Sequence, residues 1–290
     1  MTNIYMSSGA FRTRTVHGVV AEAKRLGITH VELSSGLEHE PNLEAEVRRG
    51  MDQGLTFLVH NYFPAPKEPQ VLNLTSSDAE GLQWSLSHCR RAIDLSVVVN
   101  GPFYSLHSGY IAALKAHQLG RPDAQAEAFK DVAIDREAAY QLMIQSVREV
   151  ADYAATRGKS LVLENNVISP VYLAKAPANP LLMTSAAEIV RFMGDIERDN
   201  VGFLIDMGHA KVSATALGFN AHDFLDQVAP YVSALHLSDN DGREDQNLPF
   251  DDSAWFYPRL KDFRDMPWVI EAYEMPDDTM KRQLALLNDA

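Results

Sequence analysis

Apolar residues along this chain alternate between two rhythms. Short runs rich in β-branched and aromatic residues are each followed by a longer stretch of helical period. The short runs predict strands at Asn3–Met6, His30–Leu33, Thr56–His60, Phe103–His107, Ser160–Asn165, Val201–Asp206, Val232–Leu237 and Trp268–Ala272. Between them, Val16–Leu26 carries Val16, Val19, Val20, Ala23 and Leu26 on one helical face and stops at Gly27, a C′ glycine. Asp135 is placed to cap a long helix whose stripe runs through Ala139, Leu142, Met143, Val147, Val150, Ala151 and Ala154 and ends at Gly158. Further helical patterns fall at Ala186–Met193, Asp223–Val228, Trp255–Phe263 and Thr279–Leu287. Strand–helix alternation repeated eight times implies a parallel sheet, and eight such units close as a (β/α)8 TIM barrel. An open doubly wound sheet is the alternative. It wants a glycine-rich first turn, and neither G-x-G-x-x-G nor G-x-x-x-x-G-K-[ST] occurs.

Two connections exceed ordinary βα loops, at 61–77 and 108–134. Both follow strands, which in a barrel puts both on the catalytic face, where long loops commonly serve as lids or substrate walls. At 290 residues the chain suits one barrel domain spanning 1–290. Its 46% apolar and 22% charged residues are ordinary for a globular protein. The first fifteen residues show no signal-peptide pattern, no apolar run is long enough to span a membrane, and the single Cys89 has no partner for an internal disulfide. A cytoplasmic location is therefore the expectation. The net charge of −13 opposes nucleic-acid binding, which draws most of its affinity from neutralised phosphates.

The strand ends carry the chemistry. With 39 acidic residues and 10 histidines among 290 positions, such a group falls at about one position in six. Yet seven of the eight strands place one near the C-terminal end: Glu32, His60, His107, Glu164, Asp206, His236 and Glu271. An ionisable group there is costly to bury unless paired or bound to a metal, and converging carboxylates repel one another. A divalent cation relieves both problems. A set of carboxylates with histidine suits Mn²⁺, Mg²⁺, Co²⁺ or Zn²⁺, with Zn²⁺ or Mn²⁺ favoured as histidines are added. Glu164 and Glu271 are each the only charge in an apolar run, and Asp206 and His209 sit either side of a small turn. Glu32 reads as paired with a neighbouring cation. His17, His30, His39, His88, His117 and His222 fall on helices or off the catalytic face and read as structural. Arg12, Lys211 and Arg243 are candidate binders of a phosphate or carboxylate, or else solvated surface charges. No G-x-S-x-G, H-E-x-x-H or paired C-x-x-C offers competing chemistry.

The segments Leu58-Val59-His60-Asn61-Tyr62, Ser105-Leu106-His107-Ser108-Gly109, Leu163-Glu164-Asn165-Asn166, Ile205-Asp206-Met207-Gly208-His209-Ala210, Leu235-His236-Leu237-Ser238-Asp239-Asn240-Asp241-Gly242 and Val269-Ile270-Glu271, in this order, resemble the xylose-isomerase-like barrel superfamily. That superfamily holds sugar isomerases and epimerases, inosose dehydratases and type-IV apurinic endonucleases. In the isomerase and epimerase branch the resemblance implies one divalent metal held by Glu164, Asp206, His236 and Glu271, with His209 orienting a small carbohydrate substrate. In the endonuclease branch it implies further zinc ions on His60, His107, His209 and an Asp-x-His pair. Here that pair reads Asp245-Gln246-Asn247, and asparagine is a poor zinc ligand. The sequence thus points to a sugar, sugar-phosphate or keto-sugar isomerase or epimerase working by proton transfer through an enediolate, with Glu164 and Glu271 as bases on opposite faces of the substrate carbon. Phosphodiester hydrolysis and dehydration of a cyclic polyol or keto-sugar stand as alternatives. His60, His107, Arg243 and Lys211 are the substrate-binding candidates. Barrels of this kind often pair, so a homodimer is one state to look for.

Overall fold

The computed structural model describes residues 2–111, 114–118, 121, 124, 127, 135–175 and 178–290. Eight strands, β1 (Ile4–Ser7), β2 (His30–Leu33), β3 (Thr56–His60), β4 (Phe103–His107), β5 (Ser160–Glu164), β6 (Val201–Asp206), β7 (Val232–Leu237) and β8 (Trp268–Ile270), pair in sequence order as a closed parallel barrel. The expected strands match these to within two residues at either end. Asn165 leaves the ladder because its side chain bonds the backbone of Asp206 instead.

Helices connect the strands on the outside. Val16–Leu26 starts on Thr15, whose hydroxyl accepts from Gly18, and ends on Gly27 in the left-handed region at φ 73°. Asp135 caps Arg136–Thr156 by accepting from the Ala138 N–H, as its position predicted. Two helices, Leu43–Asp52 and Ala79–Val98, follow β2 and β3 without having been expected. The segment expected as a helix at Trp255–Phe263 is a 3-10 helix, Tyr257–Phe263. Pro258 lies in its first turn and has no N–H to donate. The loop at 61–77 is irregular throughout. Much of the loop expected at 108–134 falls outside the described residues, so only its first part, through Ile111, and scattered later positions enter the account.

Side-chain alternation sorts the strand residues into two cores. Outward residues pack under the helices in one large cluster. Inward residues Tyr5, Leu58, Phe103, Val162, Leu204, Ala234 and Val269 form a separate apolar layer inside the barrel. Seven of the eight strands contribute to it. β2 does not: its residue at the level of Leu58 is Glu32. One pleat further toward the C-terminal mouth, the same seven inward positions read Ser7, His60, Ser105, Glu164, Asp206, His236 and Glu271. The apolar layer is the floor on which these polar groups stand.

Candidate metal centre

The period of two that buries Val162, Leu204, Ala234 and Val269 also dictates that Glu164, Asp206, His236 and Glu271 meet at one level. One ligand atom from each lies within 4.8 Å of the others. Glu164, Asp206 and His236 are completely buried, and Glu271 is 6% exposed. Both carboxylate oxygens of Glu164, Oδ2 of Asp206 and Nδ1 of His236 have no hydrogen-bond partner among the described residues. Buried polar atoms left this way each cost about 1–3 kcal/mol. Four such atoms from three side chains of one cluster could serve as ligands, and the donor set of three carboxylates and an imidazole fits a divalent cation.

The electrostatics agree. Burial opposes ionisation of Glu164, but His107, His236 and His60 outweigh it and hold the carboxyl well below the usual range. Glu271, also penalised by burial, is drawn down to about 2 by His236. Asp206 takes the opposite course: burial, joined by the carboxylates of Glu271, Glu164 and Asp245, pushes it well above the ordinary value against the pull of His209. His209 and His236 resist burial and are raised well above theirs by the surrounding carboxylates. The histidines are thus shifted toward, and Asp206 away from, the charged form, which offsets the crowded negative charge. A divalent ion held here would offset the same charge and free the histidine lone pairs.

Glu32 takes part in this arrangement. Its carboxylate accepts from His236 Nε2 at 3.1 Å, and both side chains are fully buried. The pairing expected for Glu32 is present, but its partner is a member of the cluster, 204 residues away. Accepting at Nε2 fixes the ring so that Nδ1 faces Glu164, Asp206 and Glu271, at 3.6, 3.9 and 2.7 Å.

His60, His107 and His209 surround the cluster. His60 contacts Ser105 Oγ through Nδ1 at 3.0 Å and has Nε2 3.4 Å from Glu164. His107 Nδ1 is 3.4 Å from the same oxygen, and burial presses its imidazole down to about 4. These three form a second group with metal-ligand spacing. His209 donates through Nδ1 to the Asn165 carbonyl at 2.9 Å and has Nε2 3.3 Å from Asp245. Asp206 and His209 are not separated by a simple turn, as expected. Asp206 caps the helix Met207–Leu217, its Oδ1 accepting from the His209 N–H at 2.7 Å, so both side chains emerge at the start of one helix. Asn247 donates to Asp245 at 3.1 Å, which orients that carboxylate toward His209.

Above the cluster lies a cavity of about 390 Å³. His107, His209, Asp245 and Glu271 reach it; Glu164, Asp206 and His236 lie beneath. Lys211 and Arg243 do not line it. Lys211 donates to Asp239 at 2.6 Å and to the Asn240 carbonyl, and this commits its charge to the wall of the barrel. Arg243 is exposed, as is Arg12. Sequence reasoning missed Tyr110, Tyr172 and Tyr273, which do line the cavity. The Tyr273 hydroxyl donates to Glu271 Oε1 at 3.2 Å.

The fold and this set of strand-end groups place the chain in a known class. Residues 20–290 match the xylose isomerase-like TIM barrel family, and the protein belongs to that family. Among solved structures it resembles a D-tagatose 3-epimerase-like protein (TM-score 0.73, 17% identity, 99% of both chains covered). It also resembles 3-keto-D-glucoside 4-epimerase from E. coli (0.70, 13%, 100% of both chains). A putative xylose isomerase from Rhodospirillum rubrum is similar as well (0.69, 19%, 99% of this chain and 98% of that one). No curated protein matches the sequence significantly. Among the described residues, no helix is long and apolar enough to cross a membrane.

Proposed function

We propose that the protein is a divalent-metal-dependent sugar isomerase or epimerase. The observation that carries this reading is the buried, hydrogen-bond-deficient group Glu164, Asp206, His236 and Glu271 beneath a cavity. These four would hold the ion, with Zn²⁺ or Mn²⁺ the best suited and Mg²⁺ or Co²⁺ also compatible with the donors. Bound there, it supplies Lewis acidity toward a carbonyl and its neighbouring hydroxyl. Glu271 is ionised, lines the cavity and holds Oε1 against the Tyr273 hydroxyl, which makes it the first proton acceptor. A C–H proton next to the carbonyl passes to that carboxylate, leaving an enediolate. For epimerisation Glu164, below the cavity and 3.4 Å from His107 Nδ1, must first take a proton from solvent by way of that imidazole; it then delivers this proton to the other face and Glu271 ends protonated in its place. Return to the same carbon inverts it; return to the neighbouring carbon interconverts aldose and ketose. His209 is fixed by the Asn165 carbonyl and by Asp245, and orients the substrate hydroxyls. The structures named epimerase and isomerase above support the same reading.

A second reading is favoured by one observation, the group His60, His107 and Glu164, which has the spacing to hold another cation. Two or more ions would suit phosphodiester hydrolysis. Elemental analysis of protein purified without chelator separates the two, combined with deuterium incorporation from D₂O into a panel of free ketoses. About one ion per chain with exchange of a substrate C–H supports proton transfer. Two or three zinc ions per chain with no exchange would overturn it in favour of hydrolysis.

A further inference from the structure

The cavity has two unlike walls. One is acidic: Glu244, Asp245 and Glu271. The other is apolar and aromatic: Tyr110, Val167, Ile168, Tyr172 and Leu181. This second wall is not a loose edge. Ile168, Tyr172 and Leu181 belong to a packed cluster of their own with Leu114, distinct from the two barrel cores, and Val71, Tyr110, Leu173 and Ala216 pack against it. Ile168 is 1%, Tyr172 4% and Leu181 8% exposed. The wall is braced from behind. Tyr110 and Leu181 pair as an isolated antiparallel bridge, and the Arg136 guanidinium donates to the Leu181 carbonyl at 3.0 Å.

Among the described residues, no lysine or arginine lines the cavity. Lys211 is engaged by Asp239, Arg136 by Glu188 and the carbonyls of Asn179 and Leu181, and Arg243 is exposed and not among the lining residues. A phosphate or carboxylate on the substrate would face three carboxylates with no guanidinium or ammonium among these residues to compensate. Burying an unpaired anion is strongly unfavourable. A neutral molecule meets no such cost. Its hydroxyls find acceptors on the acidic wall, while an aliphatic or aromatic group gains by lying on the tyrosines and aliphatic side chains.

Resting on the proposed sugar chemistry of this same site, we infer that the substrate is an uncharged sugar derivative carrying an apolar substituent, a glycoside with an aliphatic or aromatic aglycone, and not a sugar phosphate or sugar acid. The reacting end sits by Glu271, and the aglycone lies against Tyr110, Ile168, Tyr172 and Leu181. A cavity of about 390 Å³ falls in the roughly 300–1,000 Å³ range of sites for ligands larger than a single small metabolite.

Calorimetric titration of the metal-loaded protein tests this with three unreactive probes: methyl β-D-glucoside, phenyl β-D-glucoside and methyl β-D-glucoside 6-phosphate. The phenyl glycoside is expected to bind at least tenfold more tightly than the methyl glycoside, and the phosphate more weakly than either. In Leu181→Ala and Ile168→Ala the phenyl preference falls severalfold while metal content and methyl glycoside affinity stay unchanged. Equal affinity for the two glycosides, or tighter binding of the phosphate, overturns the inference and leaves the sugar chemistry standing. Binding of none of the three by protein that holds its metal overturns the sugar reading itself, and this inference with it.

Discussion

Replacing Glu32 by Gln probes whether the barrel's apolar layer was breached for a reason. Glu32 is the one inward residue at the level of Leu58 that is charged, and it is fully buried against His236. Glutamine keeps the shape and an acceptor oxygen but discards the charge. In the wild type, the carboxylate holds a proton on Nε2 and leaves the Nδ1 lone pair facing the cluster, raising its basicity. With an amide in its place, the ring loses that charge-assisted bond, and the amide nitrogen competes to donate to Nε2, which favours the opposite tautomer. Outer partners of metal-ligating histidines typically account for roughly 10–100-fold in metal affinity. At about 1.4 kcal/mol per tenfold, that corresponds to some 1.4–2.8 kcal/mol. Competition titration against a chromophoric chelator should therefore show the Kd of E32Q for Zn²⁺ or Mn²⁺ raised by one to two orders of magnitude. The metal-free variant should still melt cooperatively with native circular dichroism. A Kd within twofold of wild type would refute the reasoning, because it would mean that His236 needs no partner to present Nδ1.

Three further outcomes are expected. Glu271→Gln retains the fold and much of the metal binding yet abolishes turnover; near-normal deuterium exchange in that variant would remove Glu271 from the mechanism. Gly208→Ala brings a methyl group to 2.7 Å from Ser238 Oγ and 3.2 Å from Asp206 Oδ1, so thermal unfolding should show a loss of about 1–3 kcal/mol together with weaker metal uptake, and an unchanged melting temperature would contradict it. Burial pushes the His88 imidazole down to about 4, although its hydrogen bond to the Asn61 carbonyl opposes this. Above the unfolded value near 6.5, both states are neutral there; as pH falls toward 4, only the unfolded chain takes up the proton, and stability is lost by about 3 kcal/mol in all. Urea unfolding of the metal-free protein should show that this acid-side loss of stability is smaller by that amount in His88→Phe, and equal losses would refute the assignment.

Most of the barrel was legible because its strands are short apolar runs whose ends are marked by charge. Glu164 and Glu271 stood out because a lone carboxylate in such a run has few explanations. Glu32 carried the same signal, in Val31-Glu32-Leu33, but its partner lies on β7, and no local pattern links β2 to β7 across a barrel interior. The helix Met207–Leu217 was hidden for a different reason. It is buried along its first two turns, from Met207 to Val212 apart from a half-buried Lys211. Its sequence therefore lacks the polar face by which a surface helix declares itself. Its N-cap, Asp206, was read only as a ligand, although one carboxylate serves both ends: Oδ1 for the helix, Oδ2 for the cluster. The cavity's tyrosines were invisible because Tyr110 and Tyr273 come from loops and Tyr172 from a four-residue helix, Pro170–Leu173, all too short to show a period. Lys211 shows a further limit: its place in the sequence does not reveal that Asp239 engages its charge, whereas Arg12 and Arg243 lie exposed.

The four groups of the cluster come from four consecutive strands, β5 to β8, and β8 is the strand that closes against β1. No shorter stretch of chain than Glu164 to Glu271 can bring them together, and even that stretch lacks the Glu32 that aims His236. Were these four to hold an ion, its capture would therefore report on the register of β5 to β8. A nascent or misregistered barrel, slipped by a single residue at any of these strands, turns a ligand outward into the helix layer and presents no site. On the proposed reading, the cell's metal pool would then act as an inspector of finished molecules, locking those whose strands are in register and passing over the rest.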